Sequence, residues 1–418
     1  MAAILPERMI FMDILERFKK YIQFETTSDE ESQSTPSSDC QWALARYLEG
    51  ELKAIGVPRV TLDDHGIVYG WIPATKGLEN CPALGFIAHM DTSPAASGKD
   101  VKVCVIENYD GGDVVLENGD AITVRSFPHL KTLAGRTLVT TDGNTLLGAD
   151  DKAGIAEIVT AVERLLAENI PHGPLCVAFT PDEEVGRGAD NFDVSLFGAD
   201  FAYTVDGGPE YELACETFNA ASAKIKIHGV SVHPGDAKDV MINAGLVACE
   251  LSAMLPPEDA PRYTSGYEGF YHLDSISGDV SSATMSYIIR DHSREKFEAR
   301  KETMGRVVAE LNKKYGEGTV ALELTDSYYN MREIIEKHEH LMDNAKAVLE
   351  ALGQEPQIIP VRGGTDGSRL SYMGLPCPNL GTGGYAYHGP FEHITKEGME
   401  IACEVVLGLI SKYAKPMQ

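Results

Sequence analysis

The sequence predicts an α/β protein, a mostly parallel sheet flanked by helices, with a ferredoxin-like α+β domain inserted into it. Two patterns carry that expectation. Apolar strand-like runs alternate with helix-like stretches between residues 83 and 206, and a different order, β-α-β-β-α-β, occupies residues 214–325. A chain of 418 residues can supply two domains with cores of their own.

Taken in order, residues 83–88 (A-L-G-F-I-A) form a short apolar strand that ends at His89. From Lys152 to Ala167, Ile155, Ile158, Val159, Val162 and Leu166 recur every three or four residues, the stripe of a helix. L-C-V-A-F-T (175–180) is a second buried strand stopped by Pro181, and F-A-Y-T-V (201–205) is a third, ending at Asp206. A-K-I-K-I-H (223–228) then alternates apolar and polar, as a half-exposed strand does. A helix near 240–254, strands at 269–276 and 283–290, a charged helix at 294–314 and a strand at 319–324 complete the insert. We place it at residues 214–326, between two parts of the larger domain at 1–213 and 327–418. The larger domain resumes with R-G-G-T-D-G-S (362–368), the loop G-T-G-G (381–384) and a last helix at 396–413.

The formal charge of −27 argues against nucleic-acid or anionic-membrane partners, because no basic stripe or tail offsets it. Its plain meaning is solubility. Eight cysteines are scattered without a Cys-x-x-Cys pair, several in apolar runs, the pattern of core thiols in a reducing compartment. The start of the chain, M-A-A-I-L-P-E-R, has an acid and a proline where a secretory leader needs an apolar run, and no stretch of 18 apolar residues occurs. These features predict a cytoplasmic protein.

Five metal-binding side chains occur in the order His89, Asp150, Glu184, Asp206, His388. Two imidazoles and three carboxylates exceed one tetrahedral zinc but suit two ions that share a carboxylate. In open α/β sheets ligands bind beyond the carboxyl ends of the strands, which is where His89, Glu183, Glu184 and Asp206 fall. Asp91, two residues after His89 on an extended backbone, can accept the second ring N–H of that imidazole. Of the adjacent Asp150 and Asp151, Asp150 is expected to bridge the ions, while Asp151 is expected to cap the helix or lie in solvent. Within Asp182-Glu183-Glu184, Glu184 can bind metal and Glu183 can move a proton, although such a run also suits a surface acidic turn. His393 competes with His388. His65, His129, His172, His338 and His340 read as surface residues.

These segments resemble a known family. H-M-D-T-S-P, L-L-G-A-D-D-K-A-G-I-A-E, F-T-P-D-E-E-V-G, Y-T-V-D-G-G, V-H-P-G-D-A-K, Y-E-G-F-Y-H-L, D-S-Y-Y-N-M-R and R-G-G-T-D-G-S are together similar to the peptidase T branch of the di-zinc exopeptidases. The resemblance runs from Met12 to Lys412, and Y-E-G-F-Y-H-L and D-S-Y-Y-N-M-R are the pieces most particular to that branch. It implies a zinc exopeptidase-like fold whose insert serves as a lid and dimerisation domain. It implies two Zn²⁺ per subunit, the first on His89 and Asp206, the second on Glu184 and His388, with Asp150 between them. Asp91 would orient His89, and Glu183 would be general base and acid. Glu392, four residues on, favours His388 over His393.

In the insert, His233 would reach the scissile carbonyl and Arg290 the peptide carboxylate, with Arg362 the next candidate for that anchor. Asp236 and Asp239 depart from the family pattern and bear on fine substrate preference. The activity implied is removal of the N-terminal residue from tripeptides, by a homodimer joined through the inserted domain. A dipeptidase or N-acyl amino acid deacylase on the same fold is the nearer alternative. A catalytically silent metal-binding assembly protein is the more distant one, and an intact Asp91 and Glu183 speak against it.

Overall fold

A computed structural model describes residues 11–415. The N-terminal segment M-A-A-I-L-P-E-R lies outside the described residues. The chain divides into two compact units. One holds the chain as far as Cys215, Ile334–Ile359 and the chain from Thr365, and the other holds Glu216–Glu333 and Pro360–Gly364. The second unit therefore reaches past the expected limit of 326 and takes in a short segment from far downstream.

The first unit is built on an eight-stranded sheet in the order Arg59–Leu62, Val68–Ile72, Leu175–Thr180, Leu84–His89, Phe201–Val205, Asn379–Leu380, Glu212–Glu216, Gln357–Pro360. Its four middle strands, from Leu175–Thr180 to Asn379–Leu380, are parallel. Antiparallel pairs flank them, with Val68–Ile72 beside Leu175–Thr180 and Glu212–Glu216 beside Asn379–Leu380. Parallel strands buried on both faces need apolar residues at every position. Leu84–His89 and Leu175–Thr180 are buried throughout.

The helix Ala149–Ala167 packs on Leu84–His89 and against Ile14–Tyr21 and Lys396–Tyr413. A small antiparallel sheet of Gly384–Tyr385, His393–Thr395, Leu138–Thr141 and Val103–Ile106 adds to this unit. Two of the histidines expected at the surface are wholly or partly covered within it. His172 is buried with Nδ1 2.8 Å from the Gly173 carbonyl, and His129 stacks on Tyr385 at 4.2 Å between ring centroids.

The second unit follows β-α-β-β-α-β, with Asn219–His228, Ala244–Met254, Phe270–Gly278, Ser282–Asp291, Arg294–Tyr315 and Val320–Tyr328 in sequence. Its sheet order, Phe270–Gly278, Ser282–Asp291, Asn219–His228, Val320–Tyr328, is antiparallel throughout and ferredoxin-like. Asn219–His228 alternates buried and exposed residues from Ala223 on, and its inward Ile225 and Ile227 join Val247, Leu251, Ile289, Phe297 and Met304 in one core.

In the first unit a buried cation ties three helices. The Arg17 guanidinium lies 3.1 Å from Glu51, 2.7 Å from Glu163 and donates at 2.6 Å to Thr160 Oγ1. Removing one partner of a buried ion pair leaves the other charges uncompensated, at about 3–5 kcal/mol. Arg17→Ala should lower the unfolding free energy of this unit by about that amount in urea titration, and a change under about 1 kcal/mol would mean the network contributes no more than a surface pair.

Candidate metal centre

Three neighbouring parallel strands deliver the acids and one imidazole to a single edge. His89 is the last residue of Leu84–His89 and stands in register with Thr180, the last residue of Leu175–Thr180. Glu183 and Glu184 follow in a short 3₁₀ turn, and Asp206 comes directly after Phe201–Val205. The helix Ala149–Ala167 brings its N-terminus to the same edge by packing closely on that last strand. A Cβ at Gly154 would collide with the carbonyl oxygen of Val205, so the approach requires glycine.

Asp150 lies at the centre. Its Oδ1 is 2.9 Å from His89 Nε2 and its Oδ2 is 3.1 Å from His388 Nε2. One carboxylate thus faces both imidazoles. His388, in a left-handed conformation at φ 64°, also lies 3.0 Å from Glu184 Oε2. Asp206 Oδ1 is 3.9 Å from His89 Nε2. Ligand atoms of His89, Asp150 and Glu184 fall within 4.8 Å of one another, as do those of His89, Asp151 and Asp206.

Asp91 organises the surroundings. His89 Nδ1 lies 3.1 Å from the Asp91 backbone carbonyl and 3.3 Å from Asp91 Oδ1, and the Asp91 carboxylate accepts the backbone N–H groups of Glu183 at 3.0 Å and Glu184 at 3.1 Å. An imidazole whose Nδ1–H is held this way presents the Nε2 lone pair to the cluster. Glu392 accepts the backbone N–H groups of Leu147, Gly148 and Asp150 at 2.6, 2.9 and 3.1 Å, which fixes the turn that carries Asp150. His393 points elsewhere, with its Nε2 2.9 Å from His129 Nε2.

Asp151 corrects its expectation. Gly148 occupies the cap position, both acids have non-helical φ/ψ, and Asp151 is buried with Oδ2 3.1 Å from the His89 backbone nitrogen that donates to it. It is neither cap nor solvated acid. Asp182 is no surface acid either, since it accepts Ser37 N–H at 2.9 and 2.8 Å and Gln41 Nε2 at 2.8 Å.

Sequence reasoning missed Asp366 as a member of the site. It is buried and accepts from Thr180 Oγ1 at 2.8 Å, beside the His89 strand. The available signal was an acid inside a glycine-rich run, R-G-G-T-D-G-S.

The electrostatics report a shortage of positive charge. Burial, with Asp150, Asp366 and Glu184 adding to it, pushes Asp206 up to about 7, and burial pushes Asp366 up to about 6. Burial and the neighbouring acids Asp206, Asp366 and Glu184 drive Glu183 well above the usual carboxylate range. Hydrogen bonds to Asp150 and Glu184 raise His388 to about 10. Asp150 alone is held low, because the bonds from His388 and His89 outweigh its burial. Glu184 Oε1 and Asp151 Oδ1 are buried without a hydrogen-bond partner among the described residues. Such orphaned carboxylate oxygens are costly unless a cation meets them. The donor set, imidazole nitrogen and carboxylate oxygen, fits divalent metal.

His233, Arg290 and Arg362 belong to the second unit. His233 is exposed and accepts Gly235 N–H at 3.1 Å. Arg290 donates to the Ile289 carbonyl at 3.2 Å and lies over the Tyr328 ring. Arg362 is engaged by its own unit, donating to the carbonyls of Gly266 at 2.8 Å and Glu268 at 2.9 Å and to Thr264 Oγ1 at 2.9 Å. That occupancy makes it a clamp on the 264–268 loop.

If Asp150 serves two ions, Asp150→Ala should retain less than one equivalent of zinc after dialysis, measured by atomic absorption. Two retained equivalents would move the bridging role to Asp151.

Known proteins resemble this chain in sequence and in fold. The model of the family described as Peptidase family M20/M25/M40 matches residues 139–412. A protein named Peptidase T from Caldanaerobacter subterraneus subsp. tengcongensis is 54% identical over 405 residues, covering 96% of this chain and 99% of that one. Another of that name from Desulfitobacterium hafniense (strain Y51) is 55% identical over 407 residues, covering 96% and 98%. The crystal structure of aminopeptidase PepT from Bacillus cereus ATCC 10987 shares the fold, with a TM-score of 0.76 at 24% identity over 96% of this chain and 98% of that chain. On the extent of these matches, the chain belongs to peptidase family M20/M25/M40.

Proposed function

We propose that the protein is a two-zinc aminopeptidase that releases the N-terminal residue of tripeptides. One observation carries the metal part of this reading, a carboxylate, Asp150, whose two oxygens face His89 and His388 separately. His89 and Asp206 would hold one ion and Glu184 and His388 the other. Relatives more than half identical over nearly the whole chain bear the name Peptidase T, which supports the substrate class.

When bound, the ions supply Lewis acidity, lowering the pKa of a shared water and stabilising charge on the scissile carbonyl. The chain's own residues do the rest. Asp91 fixes the His89 tautomer and, through two backbone N–H bonds, the position of the Glu183-Glu184 turn. Glu183 accepts the proton of the attacking water and passes it to the leaving amine. His233 assists the developing oxyanion, and Arg290, with most of its five-donor fork still available, anchors the peptide carboxylate.

No helix among the described residues is long and apolar enough to cross a membrane. None of the eight cysteines is joined in a disulfide, which supports a cytoplasmic setting. The two edge strands of the second unit's sheet, Phe270–Gly278 and Val320–Tyr328, support a homodimer joined through that unit.

Glu183→Ala should keep its zinc and lose about 10²–10⁴-fold in kcat, because Glu183 moves protons and does not ligate. Near-normal turnover of a free tripeptide would remove it from the mechanism. An N-acetylated tripeptide should not be cleaved, and cleavage of it would favour a deacylase. For the dimer, inactive His233→Ala and inactive Glu183→Ala chains should recover activity at about a quarter of all sites after subunit exchange, if His233 serves its partner's site. No recovery despite demonstrated exchange would mean that His233 works within its own chain or not at all.

A further inference from the structure

Two segments that the proposed chemistry leaves without a role, Y-E-G-F-Y-H-L and D-S-Y-Y-N-M-R, meet around Arg290 in the second unit. Arg290 stands opposite Phe270 on one neighbouring strand and opposite Ala220 on the other, and Ala220 in turn stands opposite Tyr328. Alanine leaves little bulk between the two, so the Arg290 guanidinium reaches over the Tyr328 ring, 5.3 Å from its centroid. The ring itself is seated on Gly364. A Cβ there would come within 2.6 Å of Tyr328 Cε1 and Cζ, too close for any side chain without moving the ring. Arg362 lies over Phe218 and Phe270 while clamping the 264–268 loop. All of these residues belong to one unit.

An arginine is a long side chain that loses rotamer freedom whenever it binds, and an aromatic platform removes part of that loss beforehand. We propose that Tyr328, seated on Gly364 and reached across Ala220, is a positioning residue that aims Arg290 at the terminal carboxylate of the substrate. It thereby sets the preference for a free C-terminus. The inference rests on the reading of Arg290 as the carboxylate anchor.

The test compares kcat/KM for trialanine and its C-terminal amide in the wild type, Arg290→Ala, Tyr328→Leu, Tyr328→Phe and Gly364→Ala. Each variant is checked for fold by circular dichroism and for zinc content. Tyr328→Leu and Gly364→Ala should lower the acid-over-amide ratio about five- to tenfold, through KM for the acid rather than kcat. Tyr328→Phe, which keeps the ring, should stay within about twofold of the wild type. If Tyr328→Leu does not fold, Gly364→Ala decides, since it displaces the ring without removing it. An unchanged ratio in these variants, alongside its loss in Arg290→Ala, overturns the positioning role and leaves the anchor standing. A fall in Tyr328→Phe as large as in Tyr328→Leu also overturns it, by assigning the effect to the hydroxyl. An unchanged ratio in Arg290→Ala overturns the anchor, and the inference with it.

Discussion

Like charge crowded into a buried space is the constraint around which the first unit is arranged. Asp91, Asp150, Asp151, Glu183, Glu184, Asp206 and Asp366 gather at one end of four parallel strands, with His89 and His388 among them as bases. Two carboxylates about 4 Å apart repel by roughly 4 kcal/mol at an effective dielectric of 20, and several such pairs cannot all stay ionised unaided. His388, drawn up to about 10, shows where positive charge is demanded. Bound divalent metal would meet that demand and turn a destabilising cluster into a Lewis-acid centre.

The rest of the unit serves to hold that cluster in register. Parallel strands place His89 and Thr180 side by side, Asp91 reaches from one strand end to the backbone of the next loop, and Glu392 grips the turn before Asp150. The close helix approach at Gly154 sets the distance from the helix start to Asp206. These contacts matter because a site of this kind works only when its ligands are held by packing and hydrogen bonds around them.

Much of this was legible in the sequence. Three of the four middle strands are apolar runs, so their existence and the edge they share follow from periodicity and from where ligands bind in open sheets, whereas Asn379–Leu380 is too short to show a period. The insert declares itself by its switch to alternating polarity. What was not legible is local backbone detail. Asp150 and Asp151 both turn inward because both depart from helical φ/ψ, which no propensity reveals. The strands of the small antiparallel sheet are two to four residues long, too short to show a period. Asp366 is hidden in a loop motif whose acid could as well face solvent, and the engagement of Arg362 depends on a loop almost a hundred residues away in sequence.

Anomalous scattering from crystals of zinc-loaded protein, recorded on either side of the zinc absorption edge, tests the central claim most directly. The account predicts two zinc peaks, one against His89 and Asp206 and one against Glu184 and His388, with Asp150 adjoining both. A single peak, or two that do not share Asp150, would contradict it.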